Sequence, residues 1–173
     1  VGISGGIAAY KTPEIVRQLI KNGSEVKVIM TPAAKDFVTP LSLSTVSNNP
    51  VLSSFISEDS DNPLWNNHVD LANWADLFLI APATSNTISS IANGKCNNLL
   101  LATYFSSKCP VMIAPAMDLD MYKHPTNKKN IKKIKSFDNI ILPVGKGFLA
   151  SGLKGKGRML EPKEILNFIN DFF

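Results

Sequence analysis

Short apolar runs alternate along this chain with segments in which apolar residues recur at helical spacing. The runs that predict buried strands are residues 1–3, 25–30, 77–81, 111–114 and 140–144. The predicted helices follow Ser4-Gly5-Gly6, begin at Thr31-Pro32, lie near 84–93, 97–106 and 126–135, and run from Pro162 through Phe172. A loop rich in Ser, Asn and Asp is predicted over 44–67, with short helices allowed within it.

This alternation predicts the fold class. Strands that are apolar throughout belong in a sheet whose two faces are both buried, as parallel sheets are. The chain is therefore predicted to form a doubly wound, mostly parallel sheet, a Rossmann-like three-layer α/β/α fold. Its 173 residues fit one domain spanning 1–173. Because Val1-Gly2-Ile3 resembles the end of a strand and no Met precedes it, we expect a segment of a longer polypeptide.

Composition limits the classes of partner. Eighteen basic against fourteen acidic side chains give a net charge of +4, which suits an anionic small molecule and is too weak to indicate nucleic acid. Two cysteines provide neither a disulfide framework nor metal-ligand spacing. No apolar run approaches the roughly 18 residues that cross a bilayer, and no signal peptide is recognisable. We therefore expect a cytoplasmic chain that uses no metal and binds neither membrane nor nucleic acid.

Ligands of parallel sheets bind beyond the carboxyl ends of the strands. The segments predicted to lie there are 4–7, 31–37, 82–87, 115–121 and 145–158. In the first, Ser4-Gly5-Gly6-Ile7 lets backbone amides approach a phosphate at a helix N-terminus. The spacing is not the GxGxxG of dinucleotide sites, and a tight turn explains the two glycines about as well.

Polar side chains and a methionine pair follow the next two strand ends. The hydroxyl and amide groups of Thr84–Thr87 could bind a phosphate or a polar ring edge, or could cap the following helix. Met117 and Met121 could pack against a flat ring, although a pair at this spacing is more often core. Asp118 and Asp120 could be a cap, surface charges or a substrate contact, and the pattern alone does not decide.

His68 and a glycine-rich segment complete the candidates. Histidine exchanges protons near neutral pH, so His68 is a candidate base, although a lone His is more often a surface or hydrogen-bonded residue. The segment 145–158 holds five of the ten glycines and four positive charges. Such a composition is typical of a lid over an anion, with a disordered surface loop as the alternative.

Four segments together match one family. They are SGGIAAYK at 4–11, NHVDLANWADLFLIAPATSNTISSIANGKCNNLL at 67–100, PAMDLDMYKHPT at 115–126 and ASGLKGKGRMLEP at 150–162. Through them the chain resembles, over essentially its whole length, the homo-oligomeric flavin-containing cysteine decarboxylases. Within this family it resembles the phosphopantothenoylcysteine decarboxylase domains of bifunctional bacterial coenzyme A enzymes.

The resemblance implies an FMN site and assigns residues to it. The implied catalytic residues are His68 and Ser151. The implied substrate-binding residues are Asp118, Met121, Lys154, Lys156 and Arg158. The implied cofactor-binding residues are Ser4, Gly5, Gly6, Ile7, Thr31, Phe37, Thr84, Ser85, Asn86, Thr87, Ala116 and Met117.

The resemblance also implies a reaction and an assembly. The reaction is the redox-assisted decarboxylation of 4'-phosphopantothenoyl-L-cysteine to 4'-phosphopantetheine. In it the cysteine thiol is oxidised to a thioaldehyde, CO2 leaves, and a returned hydride completes the product. The family implies a homotrimer, or a multiple of trimers, with each flavin site shared between chains. A phosphopantothenate-cysteine ligase domain is often fused to such a chain.

Two positions depart from the family pattern. Position 118 is Asp where the family usually has an Asn that binds the substrate carboxylate, and position 151 is Ser where many members have a proton-donating Cys. These departures keep open a flavin-binding regulatory or inactive homologue. A peptidyl-cysteine decarboxylase or an FMN prenyltransferase of the same fold is a further alternative. A nucleotide-binding dehydrogenase is disfavoured because GxGxxG is absent.

Overall fold

The computed structural model describes residues 1–57 and 63–173. The strands are β1 (Gly2–Ile3), β2 (Val28–Met30), β3 (Val51–Leu52), β4 (Phe78–Ala83), β5 (Val111–Pro115), β6 (Ile140–Ile141), β7 (Gly145–Phe148) and β8 (Lys154–Arg158). The α-helices are α1 (Thr12–Lys21), α2 (Pro40–Ser47), α3 (His68–Trp74), α4 (Ser85–Ala92), α5 (Leu99–Ser106), α6 (Leu119–Lys123), α7 (Pro125–Lys135) and α8 (Pro162–Asn170). Two 3-10 helices span Ile7–Lys11 and Pro32–Asp36.

Six strands form one parallel sheet in the order β3-β2-β1-β4-β5-β6. Gly2 on β1 pairs with Ile29 on one side and with Ile80 on the other. The strand order therefore reverses between β1 and β4, and such a reversal opens a crevice at the carboxyl ends of the two strands. The predicted doubly wound fold is confirmed.

Each face of the sheet buries its own apolar cluster. Consecutive strand residues point to opposite faces, so Leu79 joins one cluster and Ile80 joins the other. Helix α1 buries Ile15 and Val16 against the Leu79 face. Every residue of β4 is buried, as the continuous apolar run predicts. Among the described residues, no helix is long and apolar enough to cross a membrane.

The segment predicted as a loop over 44–67 is partly regular. It contains the end of α2 and the edge strand β3, and α3 begins just after it at His68. The side chain of Thr39 accepts a hydrogen bond from the Ser42 amide and caps α2, while that of Asn67 accepts from the Val69 amide and caps α3. Residues 58–62 of the predicted loop lie outside the described residues.

The glycine-rich segment 145–158 differs most from expectation. It forms an antiparallel hairpin of β7 and β8. A side chain at Gly157 would bring its Cβ to 2.3 Å from the Met117 carbonyl oxygen, and one at Gly155 would lie 2.5 Å from Leu119. These glycines therefore let β8 approach the segment after β5, where Met117 donates a backbone hydrogen bond to Gly157 at 3.0 Å.

Candidate functional site

A cavity of about 700 Å³ opens beyond the carboxyl ends of β1, β4 and β5. This volume falls in the usual range for sites that bind small molecules and cofactors. Its wall combines the turns after these strands with the 3-10 helix Ile7–Lys11 and the hairpin. The lining residues are 5–8, 10–11, 84–86, 116–118, 121, 148–150 and 157–159.

The turn after β1 is fixed by Ser4 and Gly5. The buried Ser4 hydroxyl donates to the Pro82 carbonyl at 2.6 Å and accepts from the Thr84 amide at 3.0 Å. It therefore ties the β1 turn to the β4 turn without lining the cavity itself. A side chain at Gly5 would bring its Cβ to 2.7 Å from Ala33, so only glycine allows the turn to lie against the second 3-10 helix.

The turn after β4 both caps a helix and lines the cavity. Thr84 is the N-cap of α4 and accepts from the Thr87 amide at 3.4 Å. Ser85 donates from its hydroxyl to the Asn127 side chain at 2.6 Å, which anchors the turn to α7. Thr84, Ser85 and Asn86 line the cavity, whereas Thr87 is buried behind them. The capping role and the ligand-binding role are thus compatible.

Asp118 lies in the cavity wall, and its carboxylate has no partner among the described residues. It precedes α6, but its side chain makes no capping hydrogen bond. Within the described part of the chain it has no ion-pair partner either. Beside it, Met117 and Met121 line the cavity, and Met121 is 47% exposed, so this pair is not buried core. Asp120 lies outside the cavity lining.

Lys11 and Arg158 contribute positive charge to the wall. The Lys11 side chain is only 6% exposed, and its Nζ lies 2.7 Å from Glu161 Oε1. Arg158 Nη2 reaches the same oxygen at 3.0 Å. The hydrogen bond from Lys11, aided by the charges of Lys11 and Arg158, holds the pKa of the Glu161 carboxyl below its ordinary value of 4.5, while burial acts the other way.

The structure brings many of the predicted site residues together at this cavity. Those that line it are Gly5, Gly6, Ile7, Thr84, Ser85, Asn86, Ala116, Met117, Asp118, Met121 and Arg158. Those outside the lining are Ser4, Thr31, Phe37, His68, Thr87, Ser151, Lys154 and Lys156. Lining residues that sequence reasoning missed are Ala8, Tyr10, Lys11, Phe148, Leu149, Ala150, Gly157 and Met159. Several of these lie within the SGGIAAYK segment and the hairpin, so their segments were identified but their individual roles were not.

Two buried polar atoms are left without partners among the described residues. One is the Thr31 hydroxyl, at the carboxyl end of β2. The other is Nδ1 of His68, whose ring packs edge-on against Phe55 and Trp65 at centroid distances of 6.1 and 6.3 Å. A buried polar group without a partner costs about 1–3 kcal/mol, which a ligand or a second chain can offset.

Ser151 is exposed in the turn between β7 and β8, and Lys154 and Lys156 are exposed on β8. Lys154 stands over the Phe148 ring at 5.4 Å from its centroid. Within residues 1–57 and 63–173, no group of three or more His, Cys, Asp or Glu side chains is placed to hold a metal ion.

The sequence profile of the flavoprotein family matches residues 1–173. The chain belongs to the flavoprotein family. The resemblance found in the four sequence segments is thereby confirmed, and it extends to solved structures. A PPC decarboxylase mutant complexed with pantothenoylaminoethenethiol has the same fold, with a TM-score of 0.85, 30% identity, and coverage of 99% of this chain and 94% of that one.

Two curated relatives carry different functional names. The coenzyme A biosynthesis bifunctional protein CoaBC of Haemophilus influenzae is 42% identical over 173 residues, all of this chain and 43% of that protein. A protein named cysteine/cysteine sulfinic acid decarboxylase, from an unknown prokaryotic organism, is 54% identical over 136 residues, 79% of this chain and 37% of that protein. The chain thus spans well under half the length of either relative.

Proposed function

We propose that this chain is an FMN-dependent carboxy-lyase domain that converts 4'-phosphopantothenoyl-L-cysteine to 4'-phosphopantetheine in coenzyme A synthesis. The observation that carries the proposal is the cavity at the β1–β4 reversal, where glycine turns, hydroxyl groups and apolar residues converge. The 42% identity to a CoaBC protein, over all 173 residues of this chain, supports 4'-phosphopantothenoyl-L-cysteine as the substrate. The fold shared with a PPC decarboxylase supports the same reaction.

The cavity residues fit FMN by their chemistry. Gly5, Gly6 and the Thr84–Asn86 turn provide the small residues and hydroxyls that suit a phosphate and a sugar-like chain. Ala116 and Met117 provide a small and a soft apolar surface that suits a flat ring. The Thr31 hydroxyl, which has no partner among the described residues, is one more hydrogen-bonding group at this end of the sheet. FMN would supply a reversible two-electron acceptor, chemistry that protein side chains lack.

The chain's own residues would hold the substrate and control protons. Ile7, Met117 and Phe148 give the cavity apolar surface, which disfavours a charged carboxylate relative to neutral CO2. His68 would remove a proton from the substrate cysteine. Ser151 lies at the position where many family members have a cysteine, and a serine hydroxyl is a weaker acid than a thiol. Water or Lys154 would therefore supply the last proton.

The site is proposed to be shared between copies of the chain in a homotrimer. His68 does not line the cavity of its own chain, and its Nδ1 has no partner among the described residues. Exposed apolar side chains lie at both places that an interface would join. Ile7 and Tyr10 at the cavity are 58% and 59% exposed, and Trp65 beside His68 is 61% exposed. Such exposed apolar surface is typical of an interface.

The direct test is reconstitution followed by turnover. The purified chain should bind FMN with a flavin absorbance spectrum and release one CO2 from each 4'-phosphopantothenoyl-L-cysteine. A chain that is colourless once unbound FMN has been removed contradicts the cofactor assignment. A chain that binds FMN but releases no CO2 from this substrate, from free cysteine or from cysteine sulfinic acid is the flavin-binding regulatory homologue instead.

Free cysteine or cysteine sulfinic acid is the second candidate substrate. A relative 54% identical over 136 residues carries that name. The unpaired carboxylate of Asp118 also favours a substrate with a free ammonium group, which an N-acylated cysteine lacks. CO2 release from free L-cysteine that exceeds release from 4'-phosphopantothenoyl-L-cysteine at equal concentration would select this candidate.

A further inference from the structure

One carboxylate oxygen outside the cavity lining joins two separate parts of the cavity wall to α8. Glu161 Oε1 accepts from Lys11 Nζ at 2.7 Å and from Arg158 Nη2 at 3.0 Å. Lys11 ends the 3-10 helix that follows the glycine turn, Arg158 ends β8, and Glu161 itself caps α8. The contact between Lys11 and Glu161 spans 150 residues of sequence. Glu161 does not line the cavity, yet both of its cationic partners do.

Further hydrogen bonds fix the orientation of the two cations. Lys11 Nζ also donates to the Met159 carbonyl at 3.3 Å, and Arg158 Nη1 donates to the Phe148 carbonyl at 3.2 Å. A side chain at Gly147 would bring its Cβ to 3.1 Å from Arg158 Nη1, so the guanidinium lies directly against this glycine. Both cations keep N–H groups beyond the bonds named here, because an ammonium has three donors and a guanidinium has five.

The two cations need the carboxylate in order to stay together. Both bind one oxygen, so their nitrogens are at most about 6 Å apart, a distance at which like charges repel appreciably in a partly buried site. Lys11 is also almost fully buried, and a buried charge without a counter-ion is strongly unfavourable. With Glu161 ionised, the three groups carry a net charge of +1 on the cavity side.

We propose that Lys11 and Arg158 form a subsite for a phosphate monoester, and that Glu161 is the positioning residue that holds both cations at the cavity. Among the described residues, these two are the cationic side chains of the cavity lining. A phosphate monoester accepts charge-assisted hydrogen bonds from both kinds of donor. Both FMN and 4'-phosphopantothenoyl-L-cysteine carry this group, and the inference rests on the proposed function only for that choice of ligands.

Glu164 offers a matched control for Glu161. It lies one turn further along the same helix, and its carboxylate accepts from the Glu161 amide at 2.8 Å as part of the capping box. Among the described residues, neither Lys11 nor Arg158 is its partner. Glu164→Gln therefore removes the same unit of negative charge as Glu161→Gln, and both variants keep an oxygen that can accept the capping bond.

The experiment compares ligands with and without phosphate in the FMN-loaded protein. Glu161→Gln should raise KM for 4'-phosphopantothenoyl-L-cysteine about tenfold or more, while KM for pantothenoyl-cysteine changes less than about twofold. Glu164→Gln should leave both KM values near those of the parent. If the phosphate is the cofactor's, the loss appears instead in the ratio of FMN to riboflavin affinity, measured by flavin fluorescence.

Calorimetric titration with inorganic phosphate separates this inference from the proposed function; the FMN-loaded protein tests a substrate phosphate, and the riboflavin-loaded protein tests a cofactor phosphate. It needs no turnover, so it reports on the subsite even if no substrate is decarboxylated. Weaker phosphate binding in Glu161→Gln but not in Glu164→Gln supports the subsite, and Lys11→Met should weaken it as well. Equal effects of the two Gln variants, equal loss for ligands with and without phosphate, or tighter phosphate binding in Glu161→Gln would overturn the proposal.

Discussion

At the scale of single residues, two carboxylates near one cavity have opposite surroundings. Glu161 accepts hydrogen bonds from two cations and has a lowered pKa. Asp118 lines the cavity and has no hydrogen-bond or ion-pair partner for its side chain among the described residues. The first carboxylate therefore holds two cationic residues of the wall in place, whereas the second is available to a ligand. Replacing each by its amide tests these different roles.

The lowered pKa of Glu161 predicts how its contribution to stability depends on pH. A carboxyl whose pKa is lower in the folded chain stabilises the fold above its unfolded pKa, and this contribution disappears as the pH falls through the folded value. Glu161→Gln should therefore melt below the parent at pH 7, and the gap should be smaller at pH 3, which lies below the ordinary pKa of 4.5. Thermal unfolding at both pH values, at low salt, measures this. Because the Glu161 side chain is 52% exposed, we expect a modest gap, and an equal gap at both pH values contradicts the prediction.

Because the Asp118 carboxylate has no partner among the described residues, replacing it with an amide is predicted to improve substrate binding. If the substrate's carboxylate shares the cavity, Asp118→Asn removes a like-charge repulsion of about 1 kcal/mol, so KM for 4'-phosphopantothenoyl-L-cysteine should fall about fivefold. Steady-state kinetics of the parent and the variant measure the change. A higher KM for this substrate would instead give Asp118 an attractive contact. The same variant should bind free L-cysteine more weakly if its ammonium group pairs with Asp118.

The weak acidity of the Ser151 hydroxyl predicts that it is not the acid of the last step. A serine hydroxyl is a far weaker acid than a cysteine thiol, whose ordinary pKa is about 8.5. Ser151→Ala should therefore lower the rate of 4'-phosphopantetheine formation by less than about threefold, while Ser151→Cys should raise this rate. Product analysis by mass spectrometry measures both. Accumulation of the oxidised enethiol product in Ser151→Ala would place Ser151 in the proton path.

At the scale of elements, the sequence predicted the interior better than the edges. The buried strands β4 and β5 appear within two residues of their predicted bounds, because a sheet covered on both faces requires continuous apolar runs. The two-residue edge strand β3 carries too little apolar sequence to be recognised. The hairpin was predicted as a flexible segment because its glycines look permissive, whereas their role depends on contacts with the segment after β5.

The close approach at Gly157 predicts the cost of a single methyl group. Gly157 has a φ of 145°, and an added Cβ would lie 2.3 Å from the Met117 carbonyl oxygen. Gly157→Ala should therefore destabilise the fold by about 2 kcal/mol or more and lower the melting temperature by about 4–8 °C. It should also weaken ligand binding, because Met117 and Gly157 both line the cavity.

Gly145→Ala is the control in the same hairpin. The atoms nearest to a Cβ added there lie at 3.7 Å, an ordinary contact distance. This variant should melt within about 2 °C of the parent. Equal melting temperatures for the two variants would show that β8 can move away from Met117 at little cost.

At the scale of the whole molecule, the position of the cavity could be predicted from the sequence, but not all of the residues that line it could be. The glycine and hydroxyl turns follow buried strands, so their meeting at one edge of the sheet follows from the fold class. Lys11 was missed because its place in the wall depends on Glu161, 150 residues away. His68 lies outside the cavity of its own chain. A shared site in a trimer would account for this separation.

A shared site predicts that two inactive variants restore activity when they are combined. In a cyclic trimer each interface joins the His68 surface of one copy to the cavity of the next. His68→Asn should therefore be inactive alone, and so should a copy whose cavity is filled by Gly6→Trp. After random subunit mixing, about a quarter of the interfaces join an intact His68 to an intact cavity, so about a quarter of the parent activity should return. Light scattering measures the trimer, and CO2 release measures the recovery. A monomer that decarboxylates, or a mixture that stays inactive although its subunits exchange, would show that each chain builds its own site.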